Sequence, residues 1–348
     1  MRPEVDVVRS SALWHFHDYD LENSSFTLLK IDESLYRSAS FLDQRIEPQS
    51  AAGFRYQLEQ LESLFPDHGM TPQQTMFIFH IGHCGSTLLS RALASSPEIL
   101  PVREPLTLRH LAGDFRNSDI TGAGPSHSGC LSLLDITLRA LGRNFHPGQK
   151  PVIKATSTCN NLILPILERH ETARAILMFV TLESYLAGML GKQTPALDLQ
   201  GHALSRLSDW ARIKNSRPLK AGGMAESKLA VLAWLTSMRY LTEAEARLEN
   251  QAALLDFEIF LQQSDVELVR AAQYFAIGEE TEKILAAWPK VSSGYSKKPD
   301  YPYSAQNRRI TQQRGRLIRG DEIRQGLQWA EELIKETPAL QACENFLM

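Results

Sequence analysis

An apolar run at residues 76–81 (MFIFHI) is followed at once by Gly82-His83-Cys84-Gly85-Ser86-Thr87. The next stretch, TLLSRALASS, has Leu88, Leu89, Ala92 and Leu93 on one helical face. Buried strand, glycine loop and helix, in that order, constrain the fold more than any other part of the chain. A glycine turn lets backbone N–H groups converge on one point, and the helix N-terminus adds the positive end of its dipole. Ser86 and Thr87 supply capping hydroxyls. The segment reads as an anion cradle, with a plain strand-to-helix turn as the alternative. The triphosphate-binding pattern GxxxxGK[ST] needs a longer loop and a lysine, whereas here Gly85 is followed by Ser86 and the loop holds no lysine. Ordinary ATP or GTP chemistry is disfavoured.

Residues 99–102, 152–155, 175–180 and 252–257 are further buried-strand candidates, separated by helical patterns at 132–141, 161–169 and 226–249. Such alternation implies an α/β fold, a parallel β-sheet flanked by helices. The 348 residues allow one large or two small domains at roughly 150 residues each. Residues 1–70 read as an appended N-terminal segment, with an alternating run at 25–31 and a polar helical stretch at 53–64 that stops at Pro66. The main α/β domain is expected over 71–325 and a helical tail over 326–348. Two stretches, 113–129 and 192–225, are rich in Gly, Ser, Asp or Pro and are candidates for covering a substrate.

Lys and Arg number 37 against 40 Asp and Glu, a net charge of −3, which gives no global attraction to nucleic acid or to an anionic membrane. Any anion site is local. The apolar runs are strand-sized, and Arg2, Glu4, Asp6 and Arg9 interrupt the N-terminus before any signal-like apolar stretch, so a cytoplasmic protein without a membrane span is expected. Cys84, Cys130, Cys159 and Cys343 form no CxxC pair, and reduced thiols are expected. The close sets His15-x-His17 and His80-x-x-His83-Cys84 lack a completing carboxylate or second cysteine, and strand alternation turns His80 away from the loop. No metal is expected.

The stretch FHIGHCGSTLLSRAL, followed by VREPLTLR, resembles the sulfotransferase family of P-loop-like proteins over about residues 75–320. The similarity continues more loosely through 226–240, with Trp234, and through LLDFEIFL at 254–261. The resemblance implies a P-loop NTPase-like, sulfotransferase-type fold that binds 3′-phosphoadenosine-5′-phosphosulfate (PAPS). It also implies transfer of the sulfuryl group to a hydroxyl or amine of a small-molecule or glycan acceptor. By that resemblance Gly82, His83, Cys84, Gly85, Ser86 and Thr87 form the phosphosulfate cradle. Two departures stand out. His83 occupies the place where the family usually has Lys or Arg; an imidazolium serves as the same cation, but only near or below about pH 6.5 unless a bound anion raises its pKa. Val180, Thr181 and Gly188 occupy the neighbourhood in which the family carries the Arg and Ser that hold the 3′-phosphate.

Glu104 lies 21 positions after His83, at the end of the second strand of the parallel sheet, where open α/β sheets bind ligands. It is a candidate base toward the acceptor, a role that a glutamate in a similar Arg-Glu-Pro setting has in some sulfotransferases. The alternative is an ion pair with Arg103 or Arg109. Lys154 ends the strand PVIK and either supplies the charge that the loop lacks or reaches solvent. Residues 290–324 carry nine basic side chains against Asp300, Asp321 and Glu322, a local excess of six, in a loop-like composition with tyrosines. The resemblance sets a donor-binding loop here, so Lys297, Arg308 and Arg309 stand as substitutes for the missing 3′-phosphate ligands. From Ile310 onward, Arg316, Arg319 and Arg324 fit a solvated helix face. Cys84 reads as a small loop residue rather than a low-pKa nucleophile. The expected activity is PAPS-dependent sulfuryl transfer without a metal. The alternatives are a non-catalytic or regulatory nucleotide-binding protein of the same fold and, further off, a phosphotransferase.

Overall fold

In the computed structural model, which describes residues 4–46, 52–67, 75–118, 125–194, 199–220, 222–295, 298–302 and 305–348, the chain opens with an antiparallel sheet of β1 (Trp14–Asp20), β2 (Ser25–Lys30) and β3 (Gly53–Gln57). The alternating run at 25–31 forms β2, with Phe26 and Leu28 buried and Lys30 exposed. Residues 53–57 depart from the expected helix. They pair with β2, Phe54 opposite Leu28 and Tyr56 opposite Phe26, and among the described residues of that stretch only Leu61–Leu64 is α-helical. The open edge of β2 offers backbone partners, and the Phe26 and Tyr56 rings stack at 5.4 Å between centroids. Cross-strand pairing of this kind outweighs the local preference for a helix.

The second sheet is parallel, with five strands: β4 (Met76–His80), β5 (Ile99–Arg103), β6 (Lys150–Lys154), β7 (Arg174–Phe179) and β8 (Ala252–Asp256), in the order β5-β6-β4-β7-β8. Every residue of β4 and β5 is buried, the pattern of parallel strands covered on both faces. Helices alternate with the strands, among them Ser86–Leu93, Leu106–Asn117, His127–Leu141 and Glu226–Arg247. The fold is thus an α/β fold with a parallel sheet flanked by helices. The helix expected from residue 161 opens as a 3₁₀ turn, Ser157–Leu162, and becomes α-helical at Ile163–Arg169.

One hydrophobic core joins Val8, Phe16 and Phe26 to Phe77, Leu177 and Leu347. Two buried arginines, Arg103 at the end of β5 and Arg143 just after the helix His127–Leu141, tie the N-terminal residues to the α/β part of the chain. Arg143 donates to the carbonyls of Ser11 at 2.8 Å, Trp14 at 2.5 Å and Val8. Arg103 donates to those of Arg37 at 3.0 Å and Ala39 at 2.7 Å, and to Ser90 Oγ at 3.0 Å. Each guanidinium satisfies several carbonyls that would otherwise be buried unpaired.

The basic stretch beyond residue 290 is mostly helical, not a loop. After the helix Thr281–Ser293 and two short strands, one helix, Ala305–Glu336, runs on with a break at Arg319. Arg308 and Arg309 lie near its start, and it continues through residue 326. Close packing against the helix Leu182–Leu190 is the reason: a Cβ on Gly315 would meet the Ala187 carbonyl oxygen at 2.2 Å, so glycine alone permits this approach. Helices take part of the two stretches read as substrate covers, and residues 213–220 and 222–225 stay in turns and irregular backbone. Leu106–Asn117 and His127–Leu141 take the ends of 113–129, and Ala203–Ala211 lies within 192–225; residues 119–124, 195–198 and 221 are outside the described residues. Among the described residues, no helix is long and apolar enough to cross a membrane.

Candidate active site

Register in the parallel sheet brings three strand ends to one edge. Ile78 lies opposite Lys154 in β6, and Arg103 of β5 lies on the other side of that same lysine. His80, Glu104 and Lys154 consequently line one cavity of about 310 Å³ together with Ser86 and Thr87, within the size range of small-molecule sites. The loop itself is tightly wound. Gly82, His83 and Gly85 all have positive φ, at 89°, 54° and 72°. At Gly85 a side chain is excluded twice, because its Cβ would also lie 1.9 Å from the Phe257 ring. Gly85 caps the helix Ser86–Leu93, whose N-terminal N–H groups face the loop.

His80 belongs to this site, contrary to the expectation that strand alternation turns it away. The Gly82 N–H donates to His80 Nδ1 at 2.9 Å, which assigns the ring proton to Nε2, and Nε2 donates to the Ala155 carbonyl at 3.0 Å. His80 is the last residue of β4, where the chain turns, so the alternation of the strand no longer sets its direction.

Glu104 has a left-handed backbone, φ 51°, and its N–H donates to the Lys154 carbonyl at 2.6 Å. Its Oε1 accepts from Lys154 Nζ at 2.5 Å, and Arg45 Nη2 lies 3.6 Å from Oε2. The lysine side chain is 1% exposed and the glutamate 10%, so the ammonium sits behind the carboxylate that forms the cavity wall. Neither arginine expected to pair with Glu104 does so. Arg103 is consumed by carbonyls and Ser90, and Arg109 donates to Asp43 at 2.7 Å. Burial by itself would raise the Asp43 carboxyl, but Arg45 and Arg109 hold it below its ordinary value. Lys154 does not reach solvent either; its charge is matched by Glu104.

The far wall comes from the C-terminal helix and from Phe257. Arg308 donates to Glu258 at 2.7 Å and to the His83 carbonyl at 3.2 Å, and its guanidinium stands 5.0 Å over the Phe257 ring. Gln312 donates to the same Glu258 oxygen at 3.1 Å. Arg309 is exposed and does not line the cavity, and Lys297 lies outside the described residues. Behind Gly82, the buried Arg206 donates to the carbonyl and hydroxyl of Ser157, both at 3.1 Å, which braces the turn against the loop.

Sequence reading did not single out Ser184, Tyr185, Met189 and Lys192, which also line the cavity. Their signal was positional: the helix Leu182–Leu190 follows β7 at the same carboxyl edge as the loop. Cys84 is fully buried, its Sγ donating to the Met178 carbonyl at 3.3 Å, and burial pushes the thiol up to about 11. It is a packing residue of the loop and no nucleophile. Among the described residues there is no group of three His, Cys, Asp or Glu able to hold a metal ion.

Comparison with protein-family models gives no match, and comparison with curated proteins gives none. Solved structures that resemble the chain include two sulfotransferases. One is the sulfotransferase domain from the curacin biosynthetic pathway, 14% identical, with a TM-score of 0.36 over 69% of this chain and 96% of that one. The other is a sulfotransferase from Alicyclobacillus acidocaldarius, also 14% identical, with a TM-score of 0.32 over 58% of this chain and 81% of that one.

Proposed function

We propose that the cavity binds PAPS and transfers its sulfuryl group to a hydroxyl or amine of a small-molecule or glycan acceptor. The observation that carries this reading is the placement of Glu104 and the lysine-free loop Gly82–Thr87 on one cavity. An anion cradle and a carboxylate base lining one small space are what in-line group transfer needs. Glu104 takes the proton of the acceptor hydroxyl as that oxygen forms its bond to sulfur. The bond from sulfur to the bridging oxygen breaks, and its electron pair leaves with the 5′-phosphate of adenosine 3′,5′-bisphosphate. The amides of His83, Cys84, Gly85, Ser86 and Thr87 receive the charge that grows there, while that of Gly82 is held by His80. Lys154 compensates the carboxylate before the proton arrives. The strained φ of Glu104 fits a side chain held in place for chemistry.

Arg308 stands at the cavity wall and is our choice for the 3′-phosphate; Arg309 follows it on the exposed side of the helix and is a companion only if the bound phosphate extends beyond the cavity. Replacing Arg308 and Arg309 together by Ala then weakens adenosine 3′,5′-bisphosphate much more than adenosine 5′-phosphosulfate, which lacks that phosphate.

Titration calorimetry tests the reading. The bisphosphate is expected to bind without magnesium and more tightly than ADP or ATP. A magnesium-dependent preference for ATP marks a phosphotransferase instead. Tight bisphosphate binding with no transfer of ³⁵S from PAPS to any hydroxyl or amine acceptor marks a nucleotide-binding protein that does not turn over.

A further inference from the structure

The loop has no lysine, but a lysine from another element touches it. Lys192 follows the helix Leu182–Leu190, and its Nζ lies 3.1 Å from His83 Nδ1 and 3.3 Å from Nε2, with Met189 Sδ at 3.3 Å. The backbone that carries it is fixed. Gly191 N–H donates to the Ala187 carbonyl at 3.1 Å and Lys192 N–H to that of Met189 at 3.2 Å. A Cβ on Gly191 would stand 2.1 Å from the Thr311 carbonyl oxygen, so this turn is pressed against the C-terminal helix.

Within the sulfuryl-transfer reading, on which this rests, we infer that Lys192 is the cation of the anion loop and that His83, as a neutral imidazole, positions it. An ammonium within 3.3 Å of both ring nitrogens disfavours a second positive charge on the ring, whichever nitrogen carries the proton. The imidazolium expected from the sequence is therefore not the loop's charge. Lysine stays protonated across the whole range in which imidazole titrates, so the site keeps its charge where a histidine would lose it.

The charged groups facing His83 from the packed elements agree with this assignment. Lys192 meets the ring from the turn after the helix Leu182–Leu190, and Arg308, paired with Glu258, meets its carbonyl from the C-terminal helix. Across the cavity stand Glu104 with Lys154, and His80 beside them. Arg308 faces Glu258 and Lys154 faces Glu104, and Lys192 reaches over the loop to the His83 ring.

The test moves the lysine. By calorimetry, Lys192→Met is expected to weaken adenosine 3′,5′-bisphosphate by about 10- to 100-fold, the range for a hydrogen bond to a charged group. His83→Lys in that background is expected to restore most of the affinity, because it returns the ammonium to the loop from the neighbouring position. Wild-type affinity is expected to hold between pH 7 and pH 8.5. The inference fails if Lys192→Met binds within twofold of wild type while its melting temperature is unchanged. It fails equally if wild-type affinity drops about tenfold over that pH interval, which marks a protonated His83 as the cation. Inorganic pyrophosphate separates the two levels. Pyrophosphate binding that Lys192→Met abolishes, in a wild type that ignores the bisphosphate, keeps Lys192 as the anion ligand and removes the nucleotide reading.

Discussion

Lys154 Nζ lies 2.5 Å from Glu104 Oε1, and the two side chains come from adjacent parallel strand ends, with the lysine the more deeply buried. A buried pair of this kind is costly to break, because removal of one partner leaves the other charge without compensation. The pair therefore links the stability of the sheet edge to the protonation of the proposed base.

Glu104→Gln keeps the size of the side chain and an oxygen for Lys154, but it cannot take a proton. Turnover is expected to fall by about 10²- to 10⁴-fold with bisphosphate affinity nearly unchanged. Full turnover with a saturating acceptor would reduce Glu104 to a structural ion-pair partner.

Lys154→Met removes the ammonium from behind the carboxylate. The Glu104 carboxylate is then left buried without its cation, and chemical denaturation is expected to show a loss of about 3–5 kcal/mol. Unchanged stability would mean that the pair does not hold the sheet edge.

Gly85→Ala forces a left-handed φ of 72° on a residue with a side chain and drives its Cβ into the Phe257 ring. The conformational cost alone is about 1–2 kcal/mol, and displacement of the buried ring adds to it. Chemical denaturation should show a loss of about 2 kcal/mol or more, together with loss of bisphosphate binding. Gly113→Ala is the control, since nothing stands within 4 Å of its Cβ inside a helix. Equal stability for the two variants contradicts the packing of Phe257 on the loop.

The four cysteines are free and buried, and burial pushes Cys84 and Cys159 up to about 11 and Cys343 up to about 12. Iodoacetamide at pH 8 is expected to leave the native protein unmodified over minutes and to label all four thiols after unfolding in urea. Mass spectrometry reads the sites; rapid native labelling of Cys84 would mean that the loop opens.

His15 is buried against Tyr36, its Nδ1 2.8 Å from the phenol oxygen, and burial together with His17 and Arg143 holds its pKa well below 6.5. The folded state refuses a proton that the unfolded chain accepts near pH 6.5. The stability from a neutral His15 is therefore complete above that pH and is lost as pH falls below it, at up to about 1.4 kcal/mol per pH unit. Denaturation of wild type at pH 7.0 and pH 5.5 should show this loss, and His15→Gln should show less of it. Identical pH dependence for the two proteins would remove His15 as a source.

The α/β class was legible because a parallel strand buried on both faces must be apolar throughout, and residues 76–81 have no other use in water. The anion loop was legible for the same local reason: glycines at two left-handed positions and hydroxyls at a helix start are a short-range signature. Other features depended on partners distant in sequence. Residues 53–57 became a strand because β2 had an edge to fill, and the basic stretch became helical from Ala305 because Gly315 docks on Ala187. The Glu104–Lys154 pair spans 50 residues and the Lys192–His83 contact 109. A sequence shows which side chains can carry charge, but ion pairs form according to which strand ends and helix turns meet, and only the folded chain determines that. Sheet register matched Lys154 to Glu104, and the packing of two helices laid Lys192 over the loop that lacks a lysine of its own.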